Sequence, residues 1–289
     1  MSNMLGATQT EIPTIVVSVG LVWLAVAVLV AKACGAFRRR SIAGPERIAP
    51  GESGWTLVSI FFLGLSVAVL FGNVTARICK AKNADANLQL LIGGIVMETT
   101  ACVLLVAISA VLRPQGIDRL GLRLRRLPRG LILGLLTLFV IYPIVLVISQ
   151  VSTVSLHGAG RPDPKPNAVL EIVAASHQRG VVALGIVMAV LVAPLFEEIA
   201  FRGFLQTVLA RLFSPSGKRS IAARWIAVII TSICFALVHG EWAFMPPLFV
   251  LALGLGYLYE RTGNLWGNIA VHAAFNGLQI FLALSLGLN

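Results

Sequence analysis

Long runs of apolar residues alternate with short polar connections along the whole chain. A helix that crosses a bilayer needs about 20 apolar residues in succession, because the hydrocarbon core is about 30 Å thick. Five runs reach this length, and three more are shorter or interrupted. The long runs are Ile12–Cys34, Trp55–Val74, Leu88–Leu112, Pro128–Ser152 and Leu265–Leu286, and the shorter ones are Val181–Phe196, Trp225–His239 and Pro246–Tyr259. This pattern predicts an all-α, polytopic membrane helix bundle of about eight transmembrane helices.

The composition favours a membrane protein over a soluble one. The chain is 57% hydrophobic and only 12% charged, whereas an average soluble domain is about a quarter charged. The formal net charge of +11 could indicate nucleic acid, but the basic residues lie in the connections between apolar runs. We therefore expect the lipid bilayer as a partner and no nucleic acid. The four cysteines form no C-x-x-C pair, so the sequence indicates neither a disulfide framework nor a sulfur-ligated metal site.

The distribution of Lys and Arg predicts the orientation of the bundle. Fifteen of these residues lie in the odd-numbered connections, including Arg38, Arg39 and Arg40 after the first run, and six lie in the even-numbered ones. Short connections with an excess of Lys and Arg stay in the cytoplasm. We therefore expect an integral protein of a bacterial plasma membrane with both termini outside.

Ionisable side chains at membrane depth cost at least about 2.5 kcal/mol each, so they usually mark a function. In this chain they concentrate in three motifs in the last third, each on a separate apolar run. The motifs are Glu197, Glu198 and Arg202, then Phe235 and His239, then His272 and Asn276. Pairs four residues apart share one helix face, and Pro194 removes a backbone hydrogen bond just before the glutamates. The helix lengths predict that Glu197 and His239 face each other at one depth, with His272 joining them from the last hairpin.

These motifs resemble the CPBP family, which comprises type II CAAX proteases and bacteriocin-processing enzymes and is also called ABI. The resemblance rests on residues 194–203, 235–239 and the run 261–266 that leads to 272–276, and it covers about Val181 to Leu286. Residues 1–120 are therefore interpreted as N-terminal helices outside the recognised part. Residues 121–289 form the peptidase-like core of one continuous membrane domain. The resemblance implies an endopeptidase that cleaves a peptide or protein substrate within the membrane.

The resemblance also implies a role for each motif residue. Glu197 would be the general base for a water held with His239. His272 and Asn276 would polarise the scissile carbonyl and stabilise the oxyanion, and Glu198 with Arg202 would be a supporting pair. The family is often classed as metallopeptidase, and Glu197, His239 and His272 could be zinc ligands with an open fourth position. The chain lacks H-E-x-x-H, and an amide such as Asn276 is an unusual zinc partner, so a metal-free mechanism is favoured while a divalent metal stays open.

Other interpretations of the same residues remain. The first motif alone fits a structural ion-pair clamp, and a transporter or a non-catalytic bacteriocin-immunity or scaffold protein could use the same polar positions. Against a transporter, no second half of the chain mirrors the polar one. Glu98 is a lone acid in the third run that lines the cavity or pairs with a neighbour. Glu260 and Arg261 lie at a helix end, where we expect an interfacial role.

Overall fold

The computed structural model describes residues 54–112, 116–160, 167–214 and 220–286, together with the single positions 23, 26, 29 and 32. Those four positions are helical. The rest of the predicted first span, Ile12–Cys34, lies outside the described residues.

The described parts of the chain fold into helices and contain no strand. We number the helices in chain order, treating 179–212 as one continuous helix. They are α1 (Gly54–Ala81), α2 (Ala86–Leu112), α3 (Gly116–Leu120), α4 (Leu127–Gly158), α5 (Ala168–Ala175), α6 (Arg179–Leu212), α7 (Ile221–Val238), α8 (Met245–Thr262) and α9 (Leu265–Leu286).

Six helical segments of the described chain are long and apolar enough to cross a membrane. They are Thr56–Ala81, Ala86–Val111, Gly116–Gly158, Arg179–Leu212, Ile221–Val238 and Leu265–Ser285. The predicted span Pro246–Tyr259 lies within α8, which begins with two prolines and ends with charged residues, so it is less apolar than the others. The predicted all-α, polytopic membrane bundle is confirmed, and the protein is an integral membrane protein.

Several helices are longer than the apolar runs that predicted them. The run ending at Val74 belongs to a helix that continues to Ala81, and α4 continues past Ser152 to Gly158. An apolar run marks the part of a helix that lies in lipid, whereas the backbone hydrogen bonds continue beyond it. The apolar runs did not predict α5, which lies in the connection between two of them. This helix begins at Asn167, whose side chain accepts a hydrogen bond from the Val169 amide at 2.9 Å.

The helices around the motifs approach each other closely. A Cβ on Gly254 of α8 would lie 1.8 Å from Cδ1 of Ile141 on α4, so a larger residue would require the Ile141 side chain to move. The chain then turns sharply from α8 into α9 at Gly263, which has a φ of 57°. The Asn264 side chain donates to the Arg126 carbonyl at 3.0 Å and ties this turn to the start of α4. Glycines in this region therefore serve close packing and the turn between α8 and α9.

Candidate active site

Helix α6 is not a regular α-helix where it carries the first motif. Two π-helical segments, Met188–Val192 and Glu198–Gln206, flank a short α-helical piece, Ala193–Glu197. Pro194 lies in that piece and has no amide hydrogen to donate, which favours a local change of helix type. Wide π-helical turns inside α-helices occur frequently at functional sites. The sequence predicted a loosened helix before the glutamates, and the π-segment at Met188–Val192 is that feature.

Glu198 is the fully buried centre of a hydrogen-bond network. Its Oε1 accepts from Arg202 Nη1 at 2.9 Å and lies 3.0 Å from His272 Nδ1. Its Oε2 accepts from Asn268 Nδ2 at 3.2 Å. The ion pair predicted from the four-residue spacing is therefore present, but it is one part of a larger network that reaches α9.

Arg202 is equally buried and reaches two further helices. Its Nη2 donates to the Ala252 carbonyl of α8 at 3.4 Å, and its guanidinium lies 4.7 Å from the centre of the Phe235 ring on α7. A cation over an aromatic face is attracted by the electrons of the ring. Arg202 therefore connects the first motif to the helix of the second, and Phe235 of the F-x-x-x-H motif has a defined structural partner.

Glu197 points away from this network and faces two imidazole rings. Its Oε2 lies 4.0 Å from His239 Nε2 and 3.8 Å from His272 Nε2. That oxygen has no direct hydrogen-bond partner in the described part of the protein. Gaps of this size are too long for a direct hydrogen bond, and they are separations that a single water can bridge, since hydrogen bonds to a water oxygen are about 2.8 Å long.

The other nitrogen of each imidazole ring fixes how that ring is presented. His239 Nδ1 lies 2.7 Å from the Phe235 carbonyl oxygen, which can only accept, so Nδ1 carries the proton. His272 Nδ1 faces the Glu198 carboxylate in the same way. Both Nε2 atoms are thereby directed towards Glu197. The supporting role expected of Glu198 extends, in this geometry, to orienting His272.

Asn276 lies one helical turn beyond His272 on α9 and is half-buried. Its Nδ2 donates to the Ala189 carbonyl, in the first π-segment of α6, at 2.8 Å. The structure therefore brings five of the six predicted site residues into one hydrogen-bonded or closely facing group. It places the sixth at the edge, bonded to the backbone of the helix that carries the glutamates.

Sequence reasoning missed Asn268. Its Nδ2 donates to Glu198 and also to the Leu255 carbonyl at 2.7 Å. The available indication was its position four residues before His272, which predicts the same face of α9. An amide is common enough in membrane helices that this spacing alone did not mark it.

The interfacial role expected of Glu260 is wrong. Its carboxylate is fully buried and accepts from Gln206 Nε2 at 2.8 Å and from Arg224 Nη1 at 2.6 Å. Residues of α6, α7 and α8 thus meet in a second buried network, whose Gln206 lies nine residues after Glu197 along α6. A charge at a helix end is exposed only if no other helix covers that end, and the sequence does not show which helices pack there.

Glu98 of α2 is buried, and its Oε2 lacks a hydrogen-bond partner among the residues described. It lies close enough to Glu197 for the two charges to interact. The structure thus places Glu98 beside the site without joining it to the hydrogen-bond network.

The donor types of Glu197, His239 and His272 would suit zinc, but their spacing is less suitable. Zinc ligands lie about 2.0–2.2 Å from the metal, which brings tetrahedral donor atoms to about 3.4 Å from one another. Glu197 Oε2 is farther than this from both Nε2 atoms. Across the described ranges, no group of three His, Cys, Asp or Glu side chains is arranged to hold a metal ion. As placed, these side chains stand slightly farther apart than the ligands of a bound zinc ion would.

Comparisons with known proteins agree with this site. Residues 179–278, which contain all three motifs, match the family model described as "Type II CAAX prenyl endopeptidase Rce1-like". The chain is 25% identical over 127 residues to "Putative membrane peptidase YdiL" of Bacillus subtilis (strain 168), covering 44% of this chain and 46% of the relative. It is 30% identical over 94 residues to "Membrane-embedded CAAX protease MroQ" of Staphylococcus aureus (strain USA300), covering 32% of this chain and 37% of the relative.

The matched region spans less than half the length of either curated relative. No solved structure matches at a significant level. The resemblance to the CPBP family is nevertheless confirmed over the segment that carries the motifs, and that segment comprises α6, α7, α8 and most of α9.

Proposed function

We propose that this protein is an intramembrane endopeptidase that hydrolyses a peptide bond near the membrane interface, as CAAX-type proteases do. The observation that carries the proposal is the position of the Glu197 carboxylate, whose Oε2 lies 3.8 Å and 4.0 Å from the Nε2 atoms of two histidines on different helices. The match of residues 179–278 to the Rce1-like family supports it. A purely structural clamp would use Glu198 and Arg202 but would not need this second carboxylate facing two imidazoles.

In the proposed mechanism a water lies between Glu197 and His239. Glu197 accepts one proton from this water while the oxygen of the water bonds to the scissile carbonyl carbon. His239 orients the water by accepting its other hydrogen at Nε2. The tetrahedral intermediate then collapses, the C–N bond breaks, and Glu197 passes the proton to the leaving amine.

His272 and Asn276 serve the oxygen of the scissile carbonyl in this proposal. When His272 carries a proton on both nitrogens, Glu198 balances the positive charge at Nδ1 and the Nε2–H can donate to the developing oxyanion. Asn276 uses one amide hydrogen for the Ala189 carbonyl and has a second for the same oxyanion. Such donors stabilise negative charge best in a dry, preorganised site.

The test compares cleaved peptides in membranes of cells that carry wild-type protein, Glu197→Gln or the control Glu171→Gln. Glutamine is nearly isosteric but cannot act as the base, so the new peptide termini made by wild type should be absent with Glu197→Gln. Glu171 is an exposed acid on α5, and its variant should cleave like wild type.

Two outcomes would contradict this proposal, the first its catalytic base and the second the enzymatic activity itself. If Glu197→Gln produced the same termini as wild type, Glu197 would not be the base. If no variant cleaved any peptide and Glu197→Gln still protected cells against a bacteriocin, the non-catalytic alternative would be correct.

A further inference from the structure

The Asn276 side chain occupies the place of a backbone amide that Pro194 lacks. In the π-segment Met188–Val192 the hydrogen bonds join residues five apart, and the Ala193 amide donates to the Met188 carbonyl. The next bond in that register would run from residue 194 to the Ala189 carbonyl. Proline has no N–H, so that bond cannot form.

The Ala189 carbonyl therefore accepts a hydrogen bond from neither of the two backbone amides, those of residues 193 and 194, that could donate to it within the helix. Residue 193 is four positions away, but its amide is used by Met188, and residue 194 is the proline. An unpaired carbonyl inside a membrane protein is costly, because no water is available in the hydrocarbon core. The Nδ2 of Asn276 donates to this carbonyl at 2.8 Å.

We propose that Asn276 is a positioning residue that replaces the missing Pro194 amide and thereby fixes α9 against α6 at the catalytic site. Its bond to α6 lies one turn from His272 on α9, while Pro194 lies three residues before Glu197 on α6. The link therefore holds the two helices at the level where His272 Nε2 faces Glu197 Oε2. This inference rests on the proposed function for its catalytic part only, since the hydrogen-bond exchange is independent of any activity.

The inference predicts that positions 194 and 276 are energetically coupled. In wild type, Asn276→Ala leaves the Ala189 carbonyl unpaired. In the Pro194→Ala background, the new amide at residue 194 can donate in the π register, or the helix can relax to the α register and free the Ala193 amide. Either way Ala189 regains a backbone donor, so Asn276 is no longer needed for that purpose.

The experiment is a double-mutant cycle on purified full-length protein in detergent, with thermal unfolding and peptide cleavage measured for each variant. Asn276→Ala alone should lower the Tm by at least about 2 °C and should lower cleavage. Adding Pro194→Ala should remove most of that Tm loss and raise cleavage at least about threefold over Asn276→Ala, which is a difference of about 0.65 kcal/mol. If Asn276→Ala accumulates too poorly to be melted, recovery of its accumulation by Pro194→Ala reports the same coupling.

Asn264 provides the matched control. Its Nδ2 also donates to a backbone carbonyl of another segment, that of Arg126, but it lies far along the chain from the π-segment. Asn264→Ala and Pro194→Ala should be additive in Tm, because distant sites without shared partners do not couple.

Additive Tm losses for Asn276→Ala and Pro194→Ala would overturn the proposal. So would a cycle in which Pro194→Ala restores stability but leaves cleavage at the Asn276→Ala level, since Asn276 would then act on the oxyanion alone. If no variant, wild type included, cleaved any peptide while the Tm values remained coupled, the failure would lie in the proposed function and the hydrogen-bond exchange would stand.

Discussion

Replacing Glu198 with glutamine should destabilise the fold far more than the same replacement at Glu197 does. The carboxylate is fully buried and has three neighbouring donors, from Arg202, His272 and Asn268. A glutamine keeps the shape and one carbonyl oxygen, but it removes the negative charge and turns one of the two acceptors into a donor. Arg202 then remains as a buried cation whose other acceptor is the Ala252 carbonyl at 3.4 Å.

The size of the effect follows from that burial. Breaking a buried ion pair by removing one partner costs about 3–5 kcal/mol. Since each kcal/mol moves the Tm of a domain of this size by about 2–4 °C, the Tm of Glu198→Gln should fall by at least about 6 °C. Glu197→Gln should change the free energy of unfolding by no more than about 0.5 kcal/mol, because its side chain is 20% exposed and its Oε2 has no hydrogen-bond partner in the described protein.

Thermal unfolding in detergent, followed by helix content, measures both variants. The double variant Glu198→Gln/Arg202→Met is the control, because replacing the stranded cation with an apolar side chain should recover at least half of the lost Tm. The reasoning would be refuted if Glu198→Gln melted within about 1 °C of wild type, which is less than about 0.5 kcal/mol, while Glu197→Gln melted several degrees lower. The roles of the two glutamates would then be exchanged.

Two further predictions concern metal and topology. Cleavage should survive exhaustive treatment with a strong chelator. His272→Ala should lower kcat more than it raises KM, because the contact of His272 with the oxyanion forms mainly in the transition state. Stoichiometric zinc that is lost and regained together with activity would instead make Glu197, His239 and His272 ligands. Reporters fused after Arg40, Arg126 and Lys218 should be cytoplasmic and one at the C-terminus should lie outside, because of the Lys and Arg excess. A cytoplasmic C-terminal reporter would contradict that orientation.

The features that the sequence predicted well are those that depend on one helix at a time. Apolar length predicted the membrane helices, and a four-residue spacing predicted that Glu198 pairs with Arg202. The same spacing predicted that His272 and Asn276 share a face of α9. The structure confirms this, since both side chains contact residues of α6. Each of these follows from geometry within a single helix.

The features that the sequence did not predict depend on contacts between helices. Nothing in the spacing of Asn268 showed that Glu198 would lie opposite it, and nothing near Glu260 showed that Gln206 and Arg224 would cover that helix end. The π-helical turns of α6 were also hidden, because a proline predicts a missing hydrogen bond but not which helix type replaces it. Which residues contact each other across two helices is decided by how the helices pack, and a single sequence does not show that packing.

Under the proposed function, the buried Glu260 network has a consequence for the route by which a peptide would reach Glu197. Arg224 begins α7 and Glu260 ends α8, so their ion pair closes the bundle at the end away from His239. At the other end the turn after His239 carries no buried ion pair among the residues described, and Trp242 there is 72% exposed. A peptide arriving from the His239 end can approach Glu197 without separating a buried pair of charges, whereas one arriving from the Arg224 end cannot. With the Lys218 connection in the cytoplasm, as the Lys and Arg excess predicts, the His239 end of the bundle would face outside the cell.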